Sequence, residues 1–242
     1  MNKILLALQC LTIIPVRIKN VKNRDLAGSV AYFPFIGFLL GCALAGAVNL
    51  GRHINFPDIG LSAIIVILLA ILTGGMHLDG LADLFDALGS RKNREEMLAI
   101  MRDSHIGSMG VIAIAGAMIL KTTLLLAAGT PLQAGSLIIM CVISRWAMVF
   151  LMYRFPYARR EGKAKIYLDG INAHIFSIAT AFTLAISFLV GQMQGIIVLG
   201  IAALFVYLTG KYLAKKLGGI TGDAIGATNE ITEIVCLFIM CL

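Results

Sequence analysis

The sequence has 242 residues, of which 59% are hydrophobic and only 14% are charged, with a formal net charge of +7. In a soluble domain about a quarter of all residues are charged. The low charged fraction and the mean hydropathy of +0.91 therefore exclude an ordinary soluble enzyme. The basic charge suits cytoplasmic loops that face anionic lipid headgroups, and we expect the lipid bilayer and no nucleic acid as a partner.

The chain begins with a short apolar stretch, residues 1–16, that is followed by a basic cluster and has no small-residue cleavage site. It is too short to span a membrane comfortably, so we interpret it as a retained interfacial or re-entrant segment. Apolar runs of spanning length then recur. They predict an all-α, polytopic membrane bundle of about six to seven transmembrane helices, forming a single integral-membrane catalytic domain over 1–242. The predicted spans are 30–50, 59–77, 106–128, 133–153, 174–191, 195–213 and 231–242.

The connections between these spans alternate in their content of Lys and Arg. The N-terminal region and the segments 78–105, 154–173 and 214–230 are basic, whereas 51–58, 129–132 and 192–194 carry one cation or none. By the positive-inside rule the basic set faces the cytoplasm. Asp58 is then the only acidic residue outside.

Three aspartates, Asp79, Asp83 and Asp86, are spaced at i, i+4 and i+7. On a helix they fall within an arc of roughly 60°. Three carboxylates on one stripe repel each other, and a divalent cation between them would relieve that repulsion. Hard oxygen ligands favour Mg²⁺ or Mn²⁺, and Mg²⁺ completed by substrate phosphates is typical of phosphoryl transfer. The alternative is a solvated acidic face just outside the membrane.

A second acidic segment, G-D-A-I-G-A-T-N-E-I-T-E at 222–233, contains Asp223, Glu230 and Glu233. The predicted topology places it on the same side as the aspartate stripe, so we expect the two segments to form two walls of one site. The alternative is that Asp223 or Asn229 caps the last helix.

Several cations are candidates for binding phosphate or pairing with these acids. Arg159 and Arg160 lie in the loop 154–165, which either anchors anionic phosphates or is an ordinary positive-inside loop. Lys121 and Arg145 lie within apolar spans. Lys121 snorkels or pairs with a carboxylate, and Arg145 is expected to face the bundle interior.

The histidines and cysteines give weaker signals. His77 precedes the aspartates but points away from their stripe on a continuous helix, so a structural hydrogen bond and proton transfer both remain open. His53, His105 and His174 are not expected to bind metal. Five cysteines without C-x-x-C spacing are expected to act as small buried hydrophobes.

The motifs together resemble the cobalamin synthases, also called adenosylcobinamide-GDP ribazoletransferases. The resemblance runs the length of the chain, and its most specific part is the H-L-D-G-L-A-D block followed by D-S-H-I-G. Other matching segments are L-T-I-I-P-V, F-P-F-I-G-F-L-L-G, I-M-R-D-S-H-I-G-S-M-G-V, Y-A-R-R-E-G and G-D-A-I-G-A-T-N-E-I-T-E. Ala87, Ser90, Arg102 and His105 depart from the common pattern but leave its acidic residues intact. The loss of an arginine at 105 weakens any role of that position in clamping a phosphate.

The resemblance implies the last assembly step of the cobalamin nucleotide loop, with Mg²⁺ as cofactor, at the prokaryotic inner membrane. The small-molecule substrates would be adenosylcobinamide-GDP and α-ribazole or its 5′-phosphate. We expect a 5′-hydroxyl to attack the phosphorus nearest the cobinamide and GMP to leave, at an active site on the cytoplasmic face. The oligomeric state stays open, with a homo-oligomer possible.

These considerations define the candidate site residues. The metal ligands would be Asp79, Asp83 and Asp86, and the catalytic residues Asp83, His77 and Asp103. The substrate-binding residues would be Arg102, Arg145, Arg159, Arg160, Asp223, Glu230 and Glu233.

Two other functions compete with this interpretation. A CDP-alcohol phosphatidyltransferase also uses aspartates on membrane helices, but its D-x-x-D-G-x-x-A-R pattern is absent because no Arg follows Ala82. A cation transporter would place ionisable groups near the middle of its spans and often has repeated halves. Here the acids are predicted at one face.

The Lys and Arg asymmetry predicts the side of the membrane on which each loop lies. Tags inserted at Asn93 and Lys163 should be accessible from the cytoplasm, and a tag at Pro131 from the outside. Protease or impermeant-label accessibility in intact cells and inverted vesicles measures this. Finding Asn93 and Pro131 on the same side would contradict the seven-span arrangement.

Overall fold

The computed structural model describes residues 2–18, 20–159, 161–162 and 164–242, with the backbone alone at 130–133. Its described part is helical and contains no β-strand, as expected for an all-α protein. The helices are α1 (Asn2–Leu11), α2 (Asn23–Ser29), α3 (Phe33–His53), α4 (Asp58–Leu72), α5 (Met76–Gly89), α6 (Arg94–Ile100), α7 (Ser108–Ala127), α8 (Gly129–Arg154), α9 (Lys165–Gly170), α10 (Ala173–Leu217) and α11 (Gly222–Met240). A 3₁₀ turn, Val30–Tyr32, joins α2 to α3.

Within the described chain, four helices are long and apolar enough to cross a membrane, or five if the bent pair α4 and α5 counts as one span. Helix α8 is central, since 83% of its apolar window is buried, whereas the corresponding shares of α7 and α10 are 22% and 28%. The outward surfaces of α7 and α10 therefore carry exposed apolar side chains, such as Ile119 and Leu189. Such surfaces are expected to face lipid.

The predicted spans 174–191 and 195–213 are two arms of α10. The chain leaves helical geometry at Gln192, with φ 48° and ψ −134°. A Cβ placed on Gly195 would lie 2.0 Å from the carbonyl oxygen of Ser187. Residues that far apart in one straight helix would be separated by about 12 Å, so the chain folds back on itself here.

The predicted span 59–77 is wrong in its C-terminal part. Helix α4 ends at Leu72, and α5 leaves it at an angle of 91°. Gly74 and Gly75 make this bend because both adopt left-handed backbone conformations, with φ of 63° and 67°. Glycine adopts this conformation readily because it has no Cβ that would clash with the backbone. The N-terminal segment packs against the bend, where Ile13 donates its backbone N–H to the Leu72 carbonyl at 2.9 Å.

The N-terminal helix agrees with the sequence analysis, whereas the C-terminal helix is longer than the predicted span. Helix α1 has only ten residues, too few to span a bilayer. The last span was predicted at 231–242 with only 12 residues, and α11 begins earlier, at Gly222. The acidic segment 222–233 is therefore helical.

Helices α3 and α8 pack closely in the core. A Cβ on Gly37 would lie 2.2 Å from the Cys141 carbonyl oxygen, and one on Gly41 would lie 2.6 Å from Ile138 Cα. This G-x-x-x-G spacing lets two backbones approach closely, as is common between membrane helices.

Adding a methyl group at Gly37 should separate α3 from α8. We expect Gly37→Ala to lower the thermal stability of the detergent-purified protein, with an overpacking cost of about 1–3 kcal/mol. Gly46→Ala is the matched control, because it lies in the same helix and no atom lies within 4 Å of its added Cβ. The control should be neutral or slightly stabilising. Equal behaviour of the two variants, measured as monodisperse protein left after heating, would contradict the close packing.

Candidate active site

The acidic stripe lies on α5, which starts at the glycine bend. Asp79 is exposed, whereas Asp83 and Asp86 are half-buried. Asp83 interacts electrostatically with Asp79, Asp86 and Asp223. Of the two walls predicted from sequence, the α5 stripe therefore meets the second, the segment 222–233, at the start of that segment.

Helices α5 and α11 run antiparallel and touch through glycines. A Cβ on Gly80 would lie 2.8 Å from the Asp223 carbonyl oxygen, and one on Gly226 would lie 3.2 Å from His77 Cα. The N-terminus of α11 is capped by Thr221, whose hydroxyl accepts a hydrogen bond from the Ala224 N–H at 3.1 Å. Asp223 and Asn229 are thus not the capping residues.

A cavity of about 390 Å³ opens between these two helices. Its volume lies in the usual range for small-molecule sites. One part of its wall is polar, with Asp79, Asp223 and His77, and the rest is largely apolar or aromatic. The other lining residues are Cys10, Phe33, Met76, Gly80, Met148, Met152, Ala164, Tyr167, Gly222, Ile225 and Gly226.

Asp86 has a different environment from the other two stripe residues. Its carboxylate accepts the backbone N–H of Gly107 at 2.7 Å and that of Gly110 at 2.9 Å. These are the cap and first-turn amides of α7, which have no partner within their own helix. A carboxylate there also interacts favourably with the helix dipole. Asp86 therefore fixes the start of α7 against α5.

The basic loop after α8 reaches the same site. Ala158 donates its N–H to the Ile220 carbonyl and Ile220 donates to the Pro156 carbonyl, both at 2.8 Å. This bridge brings Arg159 beside the start of α11, where its guanidinium donates to Asp223 Oδ2 at 2.9 Å. Arg160, the other candidate in this loop, lies outside the described residues.

Tyr157 joins this group and was not identified from the sequence. Its hydroxyl hydrogen-bonds Arg159, and it interacts electrostatically with Asp223 and Arg102. Burial raises the pKa of the Tyr157 hydroxyl, and the Arg159 guanidinium opposes that shift. The Y-A-R-R-E-G motif contains this tyrosine, so the motif was the available signal. Tyr167 and Cys10 in the cavity wall had no comparable signal.

Asp103 lies on the exposed connection between α6 and α7. His105 Nδ1 contacts its carboxylate at 2.6 Å, with 90% of the His105 side chain and 57% of the Asp103 side chain exposed. This hydrogen bond lowers the pKa of Asp103 and raises the pKa of His105. A catalytic role for Asp103 stays a prediction.

Glu230 and Glu233 do not share the surface of the aspartate stripe, contrary to the expectation from topology. They lie seven and ten residues beyond Asp223 on α11, about 10–15 Å deeper, and are 4% and 0% exposed. Lys121 Nζ donates to Glu230 at 2.5 Å and also pairs with Glu233. Arg145, fully buried as expected, pairs with Glu233 as well. Each of the two buried carboxylates is thus matched by a buried cation.

This buried ion cluster connects to the cavity through one amide. Asn229 Nδ2 donates to Glu233 Oε1 and lies within hydrogen-bond distance of His77 Nδ1, both at 3.1 Å. Because the same nitrogen faces a carboxylate, it acts as the donor to His77. His77 Nδ1 is therefore the acceptor, and the proton resides on Nε2, which has no partner among the described residues.

Comparison with known proteins gives a full-length match. A family profile described as cobalamin-5-phosphate synthase matches residues 3–241. A protein of Roseiflexus sp. (strain RS-1), called adenosylcobinamide-GDP ribazoletransferase, is 38% identical over 96% of this chain and 86% of its own. Proteins of the same name from Geotalea daltonii and Desulforamulus reducens are each 36% identical, over 96% and 98% of this chain and 93% and 95% of theirs. No solved structure matches significantly.

The contacts of Asp86 predict that neutralising Asp86 lowers the stability of the protein more than neutralising Asp83 does. Asp86→Asn keeps one oxygen acceptor but loses the charge at the start of α7, which should destabilise the protein by about 1 kcal/mol. Asp83→Asn should leave stability unchanged or improve it, because it removes repulsion from neighbouring carboxylates. Thermal unfolding of both variants in the same detergent provides the comparison. A stability loss for Asp83→Asn that equals or exceeds that of Asp86→Asn would contradict this division.

Proposed function

The chain belongs to the cobalamin-5-phosphate synthase family, and we propose that it is an adenosylcobinamide-GDP ribazoletransferase, the name of its curated relatives. It then performs the final assembly step of cobalamin synthesis. The observation that carries this conclusion is similarity over nearly the whole chain, which includes both walls of the cavity. The Lys and Arg asymmetry supports an orientation in which this cavity opens toward the cytoplasm.

The reaction exchanges one bond to phosphorus for another. A ribose hydroxyl of the acceptor forms a P–O bond to the phosphorus nearest the cobinamide. The phosphoanhydride bond breaks, GMP leaves with the electron pair, and the hydroxyl loses its proton. The family description includes a 5-phosphate in the product. An acceptor already esterified at its 5′-oxygen cannot attack through it, so the 5′-hydroxyl expected above is replaced by another ribose hydroxyl.

Asp79 and Asp83 are the residues that would hold Mg²⁺. Neither carboxylate forms an ion pair with a described residue, whereas Asp86 and Asp223 are occupied by amides and by Arg159. No group of three His, Cys, Asp or Glu side chains in the described chain is placed to enclose a metal. Mg²⁺ is commonly bound by one or two carboxylates and substrate phosphates, which this donor set fits. When bound, the ion would neutralise charge on the pyrophosphate oxygens.

The remaining side chains position the substrates. Arg159, anchored by Asp223 and Tyr157, and the nearby Arg102 would bind phosphate oxygens of adenosylcobinamide-GDP. His77 lines the cavity, and Asn229 holds its ring in the tautomer that carries the proton on the buried Nε2. Holding both reactants within one cavity supplies orientation, which lowers the barrier in phosphoryl transfer.

Arg145, Glu230 and Glu233 contribute indirectly. Their charged groups are engaged in the buried ion cluster, and none of the three lines the 390 Å³ cavity. We propose that they position α11 and, through Asn229, His77. They would not contact the substrate.

The proposed function is tested with the purified, full-length protein in detergent or liposomes. Adenosylcobinamide-GDP, α-ribazole or its 5′-phosphate, and Mg²⁺ should give GMP together with adenosylcobalamin or its phosphate. A CDP-alcohol phosphatidyltransferase or a cation transporter would release no GMP from this substrate. Failure to form GMP with either acceptor would contradict the assignment.

Neutralising one proposed metal ligand should abolish most of this activity. We expect Asp83→Asn to reduce GMP release by orders of magnitude, since charge stabilisation in the transition state is worth several kcal/mol. Glu95→Gln is the matched control, because Glu95 is exposed on α6 and its neutralisation also removes one negative charge. A folded Asp83→Asn protein with near-normal, Mg²⁺-dependent turnover would remove Asp83 from the site.

A further inference from the structure

A larger cavity, of about 510 Å³, lies on the other side of the short helix α9. It shares no described lining residue with the 390 Å³ cavity. Ile166 and Asp169 of α9 line the larger cavity, whereas Tyr167 of α9 and Ala164, which precedes the helix, line the smaller one. The proposed transfer reaction makes no use of it. We call it the basic cavity because Lys3 and Arg24 line it.

The charges around the basic cavity are not balanced. Lys3 and Arg24 line it, and neither forms an ion pair with a described residue. Asp169 is the only acidic residue among the described residues that line the cavity, and it pairs with Lys165 at 2.7 Å. Within the described part of the cavity wall, the positive charges of Lys3 and Arg24 therefore have no counter-charge. The polar residues Asn23, Tyr32, Asn172 and His174 complete this wall.

The backbone leaves room for one of these cations. A Cβ on Gly28 would lie 2.8 Å from Lys3 Cε and 2.9 Å from Lys3 Nζ. The lysine of α1 thus lies directly over α2, on a surface that any larger residue at 28 would fill.

The position of the basic cavity indicates an amphipathic ligand. Its walls come from the first residues of two membrane-spanning segments, Asn23–His53 and Ala173–Leu217. The starts of spans lie at the level of lipid headgroups. Ile166 and Ile178 also line the cavity and are each 40% exposed, so its polar wall adjoins an apolar, accessible surface.

We propose that the basic cavity binds the phosphate headgroup of an anionic phospholipid, with Lys3 and Arg24 on the phosphate and the acyl chains along Ile178. Basic pockets between membrane helices suit anionic headgroups, and each Lys or Arg near an anionic membrane surface contributes favourably to binding. A free organic phosphate has the same anionic group but no acyl chain. The apolar rim therefore favours the lipid, and this proposal does not depend on the transferase activity.

The test is lipid binding to the purified, full-length protein in detergent, followed by native mass spectrometry during titration with phosphatidylglycerol or phosphatidylcholine. We expect phosphatidylglycerol to bind more tightly. The double variant Lys3→Gln, Arg24→Gln should weaken phosphatidylglycerol binding on the order of tenfold or more. The matched control, Lys215→Gln, Lys216→Gln, removes two exposed cations from the end of α10 and should bind as the unmodified protein does.

The double variant Lys3→Arg, Arg24→Lys keeps both charges and controls for misfolding. It should still bind phosphatidylglycerol more tightly than phosphatidylcholine. The proposal is overturned if the two lipids bind equally, or if the control loses as much affinity as the cavity variant. Loss of the preference in the charge-preserving pair also counts against it. Displacement of phosphatidylglycerol by millimolar ribose 5-phosphate or inorganic phosphate would assign the basic cavity to a soluble phosphate.

Discussion

The buried pairing of Glu233 with Lys121 and Arg145 constrains how this protein can assemble. The three residues lie on α11, α7 and α8, and their side chains are between 0% and 4% exposed. An uncompensated charge at such a position is strongly destabilising, by about 3–5 kcal/mol when one partner is removed. The three helices can therefore pack in only one register. That register fixes the position of α11 along its axis and places Asp223 beside α5.

The site at the end of α11 depends on close backbone contact as well as on charge. Gly80 and Gly226 let α5 and α11 touch, and the Gly74–Gly75 bend gives α5 the direction needed for that contact. One aspartate of the stripe then caps α7, while Asp79 and Asp83 remain available to a ligand. Asp86 thus has a structural role, whereas Asp79 and Asp83 are free for a chemical one, although all three lie on the same face of the helix.

Several features could be predicted from the sequence because their signals are local. Apolar run length predicted the helical membrane fold, and the motif around Asp79 and Asp83 identified one wall of the site. The prediction for 59–77 was wrong only in its C-terminal part, because hydropathy does not reveal a bend at two glycines. Glu230 and Glu233 were expected beside the stripe because the predicted topology put residues 214–230 in a cytoplasmic connection, whereas α11 already begins at Gly222 and carries both residues into the bundle.

The sequence by itself determined the class of protein, the family and the residues that form the acidic stripe, since composition and motif are properties of the chain alone. Only the tertiary structure decided that Lys121 pairs with an acid 112 residues away, that Asp86 caps a neighbouring helix, and that Tyr157 joins Arg159 at the site. The physical reason is that a buried charge or an unpaired amide specifies that it needs a partner. It does not specify which residue, far away in the chain, supplies that partner.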